Sequence, residues 1–232
     1  MLLGECDSKR ISQRSFILHT TVMITVVVPT LNAQETLPRC FDSLIGATVR
    51  GVVREVIVAD GGSSDDTLVI ADAAGARVKT AGRSRASQLN TGANAARHEW
   101  LLFLHPETAL DPGWENEVEA FIARSTLEYP RAAAFRFGVD EFEGGGRSSE
   151  FLAALRCWLL KLPYGDQGLL MPKRLFKQLG GYREGKREDA DMVRRIGPRR
   201  LVMLRSRAVN KHKPYYAVTD ATGAAGFSVE RA

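Results

Sequence analysis

Val58-Ala59-Asp60-Gly61-Gly62-Ser63-Ser64-Asp65-Asp66-Thr67 sets three carboxylates and two serine hydroxyls around a glycine pair, directly after an aliphatic run. Such a stretch suits a phosphate cradle, a calcium loop, a nucleoside pocket or an ordinary turn. A calcium loop needs oxygen ligands at alternating positions and a distal Glu, a ladder that Asp60, Asp65 and Asp66 do not fit. A phosphate loop needs Gly-Lys-Ser/Thr downstream, and a dinucleotide site needs Gly-x-Gly-x-x-Gly at the strand end; neither is present. Acidic side chains also repel a bare phosphate. A carboxylate at a strand end accepts hydrogen bonds from ribose hydroxyls or a base N–H, so Asp60 is the candidate nucleoside contact. Asp65 and Asp66 fit the first turn of a following helix, where the macrodipole favours acids.

Outward from this loop the first half of the chain alternates strand and helix. Residues 24–28 form a β-branched run that ends at Pro29 and reads as a buried parallel strand. Thr36 is placed to cap a helix with Pro38 in its first turn. Leu37, Cys40, Phe41, Leu44 and Ile45 then form one apolar stripe. Residues 55–59 are a second strand. Ser64 or Asp65 caps a helix that runs to Gly75. Residues 76–80 are a third strand, 84–97 a helix, and 100–104 a fourth strand ending at His105-Pro106-Glu107. The second half is less regular, with strands expected at 132–138 and 201–204. Helices are expected at 151–162, 173–179 and 188–196, and a flexible loop at Gly144-Gly145-Gly146. The alternation predicts an α/β fold, a mostly parallel central sheet flanked by helices on both faces. In such sheets ligands bind beyond the carboxyl ends of the strands. Pro29-Thr30-Leu31-Asn32, the loop from Asp60 to Asp66, and His105-Pro106-Glu107 all sit at such ends.

The 232 residues suit one domain: residues 23–209, with an N-terminal extension at 1–22 and a C-terminal tail at 210–232. No run of about 18 apolar residues occurs. Cys6, Cys40 and Cys157 form neither a zinc pattern nor a disulfide framework, so a reducing cytoplasm is expected. Arg10 and Arg14 before an apolar run loosely resemble a secretion signal. His19, Thr20, Thr21 and Thr25 interrupt that run, and no small-residue cleavage site follows. Charge is uneven: residues 1–171 carry a net −4 and residues 172–232 a net +9. The basic third suits a phosphorylated ligand or an anionic membrane surface. No nucleic-acid-binding signature accompanies it, so no nucleic-acid partner is expected.

Three further clusters carry chemistry. His105 and Glu107 offer an imidazole and a carboxylate two residues apart, a donor pair compatible with Mg²⁺ or Mn²⁺. Arg83 and Arg85 lie in a Gly-Arg-Ser-Arg loop at a strand end, and guanidinium groups suit a diphosphate. Glu188-Asp189-Ala190-Asp191 opens a helix, where acids serve as dipole partners or as a general base.

Taken in order, Val28-Pro29-Thr30-Leu31-Asn32, VADGGSSDDT, FLHPET, GDQGLL and EDADMVRR resemble the bacterial family 2 glycosyltransferases with the A-type (GT-A) nucleotide-sugar fold, over residues 24–205. Within that family the likeness is nearest to short enzymes associated with arsenosugar biosynthesis. The resemblance implies inverting transfer of a sugar from a nucleoside diphosphate to an acceptor hydroxyl. It implies that Pro29, Thr30, Asn32 and Asp60 hold base and ribose, and that Arg83 approaches the diphosphate. Glu107 with His105 stands at the family's metal motif. Asp189 stands at the base position, and Gln167, Gly168 and Glu188 line the acceptor side. The acceptor expected from the basic third is phosphorylated or membrane-associated, which suits a cytoplasmic enzyme at the inner membrane face. The chain departs from the family pattern at Gly61, where a second acid is usual, and at His-Pro-Glu, which lacks a leading Asp. The competing readings are a catalytically degenerate nucleotide-sugar-binding protein and a sugar-phosphate nucleotidyltransferase. The latter normally shows a Gly-rich loop after the first strand, where Pro29-Thr30-Leu31-Asn32 stands here.

Overall fold

An aliphatic run without polar alternation folds as a strand covered on both faces, and β1 (Ile24–Thr30) is buried at all 7 positions. The computed structural model describes residues 22–125, 128–139, 167–185 and 187–210. Residues 1–21 of the expected extension, the loop at 144–146, the helix at 151–162 and the tail from 211 lie outside the described residues. After β1 come α1 (Leu37–Asp42), α2 (Ile45–Val49), β2 (Val53–Asp60), α3 (Thr67–Ala73), β3 (Arg77–Thr80), α4 (Arg85–Ala95) and β4 (Trp100–Phe103). There follow β5 (Thr108–Leu110), α5 (Trp114–Ala123), β6 (Ala132–Val139), β7 (Leu169–Pro172), α6 (Lys173–Gln178), α7 (Glu188–Ile196) and β8 (Leu201–Asn210). The sequence reading does not include β5, α5 and β7.

The strand order is β3-β2-β1-β4-β7-β6-β8-β5. The half from β3 to β4 is parallel, as is the β6–β8 pair, whereas β7 and β5 run antiparallel to their neighbours. The pleat sends alternate side chains to opposite faces. Ile24, Val26 and Val28 enter one core with Leu37 of α1, Ala71 of α3 and Trp114 of α5. Val27 enters the other with Leu89 of α4, Leu175 of α6 and Met192 of α7. The expected α/β architecture, with helices on both faces, is the one observed.

Two local expectations fail for identifiable reasons. β1 does not stop at Pro29; Pro29 pairs with Ala59 and Thr30 with Asp60. The Val27 carbonyl accepts from Leu104 on the β4 side, and the Thr30 carbonyl accepts from Gly61 on the β2 side. By strand alternation the missing Pro29 N–H faces the β4 side, beyond the last β1–β4 pair at Val27 and Phe103. The stripe from Leu37 to Ile45 is likewise not one helix. The Ser43 carbonyl accepts the Trp114 indole N–H at 3.0 Å instead of continuing the helical ladder, and Ile45 is left 57% exposed.

The chain winds outward from β1 to β3, then returns to place β4 on the other flank of β1. The crevice beyond the carboxyl ends of β1 and β4 is therefore a topological switch point.

Candidate functional site

Two loops at the switch point are laced together. The Asn32 amide oxygen accepts the Ser64 N–H at 2.9 Å, and the Asn32 N–H donates to the Ser63 hydroxyl at 2.8 Å. The Gln34 N–H donates to the Asp65 carboxylate at 3.1 Å, while the Asp66 N–H donates to the Gln34 side chain at 3.0 Å. Asn32 adopts φ 54°, a region asparagine tolerates better than most residues. Asp65 also accepts the Thr67 N–H at 3.1 Å, so it serves the start of α3 as expected. Asp66 sits at the N-cap position, but its side chain makes no capping bond.

Asp60 is not placed as expected. It is 4% exposed. One carboxylate oxygen accepts the Gly62 and Ser63 N–H groups at 2.8 and 2.9 Å. The other accepts the Thr30 and Ser63 hydroxyls at 3.0 and 2.5 Å. Burial alone would raise its pKa. The donors on Ser63, Gly62 and Thr30 outweigh burial and hold it below the usual aspartate range. Both oxygens are thus committed inside the loop, and Thr30 is committed to Asp60. The pair shapes the cleft from beneath and does not line it.

The cleft itself is a cavity of about 450 Å³ whose walls include Pro29, Asn32, Asp65, Arg83, Gln88 and Glu107. Pro29, Arg85 and His105 also line an adjoining pocket with Gly168, Tyr182 and Asp189. Two compartments therefore meet at Arg85 and His105. Arg85 forms an ion pair with Asp189 at 3.0 Å. Burial pushes the Tyr182 phenol well above its ordinary value, with the Asp189 charge adding to the shift. Tyr182 is consequently a proton-bearing hydroxyl in this pocket. Gly168 lines the pocket with φ +68°, and an added Cβ would press the Phe135 ring at 3.1 Å. Gln167 is buried one position earlier, and Glu188 is half-buried at the start of α7 outside the pocket lining.

Burial, reinforced by the Arg85 charge, lowers the His105 pKa to about 3. The imidazole is neutral near pH 7, and its buried Nδ1 has no hydrogen-bond partner among the described residues. The Glu107 carboxylate lies 3.8 Å from that nitrogen. A neutral imidazole whose Nδ1 has no partner among the described residues, beside a half-buried carboxylate, fits Mn²⁺ or Mg²⁺. Among the described residues no group of three His, Cys, Asp or Glu side chains surrounds a common point. Further ligands would then be phosphate oxygens and water.

Gly61 has a packing reason. A Cβ there would overlap the Gln88 side-chain nitrogen, so the Gln88 carboxamide fills the space a second acid would need. Gln88, Tyr182 and Asp65 escaped the sequence reading as cleft residues. Gln88 and Tyr182 stand one turn or one loop away from any motif. Arg85 was visible in Gly-Arg-Ser-Arg, but nothing in the sequence shows its contact with a residue 104 positions later.

The sequence profile described as "Glycosyl transferase family 2" matches residues 25–179. A PGL/p-HBAD biosynthesis glycosyltransferase of Mycobacterium tuberculosis is 33% identical over 131 residues, 50% of this chain and 50% of the relative. The chain spans about half the length of that relative. Glucosyl-3-phosphoglycerate synthase of Mycobacterium tuberculosis is 51% identical over 55 residues, 24% of this chain and 17% of the relative. A crystal structure of that synthase with Mn²⁺, uridine diphosphate and glucosyl-3-phosphoglycerate superposes with TM-score 0.59 at 24% identity. The match covers 84% of this chain and 74% of that one. S. aureus TarS 1-349 with UDP superposes with TM-score 0.62 at 18% identity, over 83% of this chain and 61% of that one.

Proposed function

Because the chain belongs to glycosyl transferase family 2 and carries the A-type α/β fold, we propose that it moves a sugar from a nucleoside diphosphate to an acceptor hydroxyl with inversion. The observation that carries this reading is the meeting of two compartments at Arg85 and His105, with Asp189 facing the second.

Pro29 and Asn32 hold the nucleoside end, on a loop kept in shape by Thr30 and Asp60. Arg83 and Arg85 meet the diphosphate. His105 and Glu107 hold Mn²⁺ or Mg²⁺, which when bound offsets negative charge on the leaving diphosphate. Asp189 takes the proton of the acceptor hydroxyl as that oxygen bonds to the anomeric carbon and the carbon–oxygen bond to the diphosphate breaks. One displacement inverts the centre and needs one base. Arg85 orients the Asp189 carboxylate through their ion pair. Gln167, Gly168 and Glu188 flank the acceptor side, and Tyr182 offers it a hydrogen-bond donor.

The uridine diphosphate in structures of the synthase and TarS supports a uridine donor. Net +9 over residues 172–232, and the phosphoglyceric acid bound by the synthase, support a phosphorylated acceptor. Calorimetry with UDP-, GDP- and dTDP-sugars, with and without Mn²⁺, tests the reading. Binding of at least one, with slow donor hydrolysis lost in Asp189→Asn, is expected; binding of none overturns it.

A further inference from the structure

The Gln88 side chain is an amide 4% exposed in the wall of the donor cleft. Its Nε2 donates to the Arg83 carbonyl at 3.2 Å. A carbonyl there accepts only from nitrogen, so this bond fixes which end of the amide is which. No other hydrogen bond of the carboxamide occurs among the described residues, leaving Oε1 as an acceptor and one N–H as a donor. The carboxamide also occupies the space beside Gly61 at the end of β2. A buried half-used amide in the cleft wall, beside the turn at Gly61, is suited to a ligand edge that sets a donor beside an acceptor, such as an N–H beside a C=O.

We infer that Gln88 reads the nucleobase, accepting the imide N–H and donating to the neighbouring carbonyl of a uracil-type base. This rests on the nucleotide-sugar reading above. Uracil and thymine present that pattern at N3 and its flanking carbonyls. Cytosine, held in the same register by the shared ribose and diphosphate, sets its N3 lone pair against the Oε1 lone pairs. Leaving such buried groups unpaired lowers affinity about tenfold or more. Gly61 is then a requirement of the reader: any side chain at 61 displaces the amide.

The test is calorimetric binding of UDP and CDP, with Mn²⁺, to the wild type, Gln88→Met and Gly61→Ala. The two nucleotides share ribose and diphosphate, so their affinity ratio isolates the base. The wild type is expected to prefer UDP about tenfold or more. In both variants the ratio falls to about threefold or less, with CDP affinity held within about threefold of the wild type. Gly61→Ala acts through the same amide, since its Cβ would overlap the Gln88 side-chain nitrogen and Gly61 is not among the positive-φ residues. It decides the matter if Gln88→Met does not fold, as judged by thermal melting. Variants that keep the wild-type ratio, or a wild type that binds UDP and CDP alike, overturn the base-reading role and leave the transferase reading standing. A wild type that binds neither nucleotide overturns both.

Discussion

Asp60→Asn separates a residue that shapes the cleft from one that touches the donor. The carboxylate accepts two backbone N–H groups and two hydroxyls. Asparagine keeps the shape, so its oxygen can retain the Gly62 and Ser63 N–H groups. Its NH₂ then faces two hydroxyls that now donate, and the Ser63 hydroxyl already receives the Asn32 N–H. The loss is the charge assistance of bonds worth about 1.5–3 kcal/mol each. We expect about 3 kcal/mol of destabilisation, a fall in Tm of roughly 6–12 °C. A pH series supplies a second signature. The folded pKa lies below the ordinary value. The stabilisation is therefore complete above the unfolded pKa of about 3.9 and is lost as pH falls through the folded value. The gap between wild type and variant should close as pH drops below about 4. Differential scanning calorimetry reads both effects, and donor calorimetry below the melting range completes the comparison. A Tm within about 2 °C of the wild type, combined with lost donor binding, would refute the reasoning and return Asp60 to direct contact.

Three further outcomes follow from the same geometry. His105 has a folded pKa of about 3 against an ordinary 6.5, so only the unfolded chain takes up its proton between those values. Wild-type stability should fall as pH drops through that window, and denaturant titrations of His105→Gln should lack this part of the slope. Glu55, on β2 beside the start of β1, receives the Thr25 hydroxyl and the Arg97 N–H at 2.8 and 2.9 Å and pairs with Arg77 at 3.1 Å. Glu55→Gln should lose about 2–4 kcal/mol in denaturant melts while kcat at permissive temperature stays within about twofold. Glu107→Ala should abolish the Mn²⁺-dependent part of donor affinity but keep affinity in EDTA within about threefold. An equal loss with and without metal would place Glu107 on the donor itself.

What the sequence made visible depended on how local the determining contact is. β1 was legible because burial on both faces leaves an unbroken aliphatic run, although its last pairs, at Pro29 and Thr30, lie past the point where that run stops. Asp65 was legible as a helix-start acid because its partner, Thr67, is two residues away. Asp60 was misplaced for a related reason. A strand-end carboxylate can face outward to a ligand or inward to its own loop, and only the backbone path of Gly62 and Ser63 decides between them. The break between α1 and α2 depends on an indole 71 residues downstream of Ser43. Gly61 reads in the sequence as a lost acid, because nothing near it in the chain shows that the Gln88 amide fills the space beside it.

The central claim, a single displacement with Asp189 as base, is tested most directly by ¹H NMR of slow donor hydrolysis on whichever nucleotide sugar binds. For a donor with an α-linked sugar, the first anomer released before mutarotation should be β. Asp189→Asn should slow its release by about 10²–10⁴-fold, with donor binding retained. A first-formed α-anomer, or Asp189→Asn hydrolysis at the wild-type rate, would contradict the account.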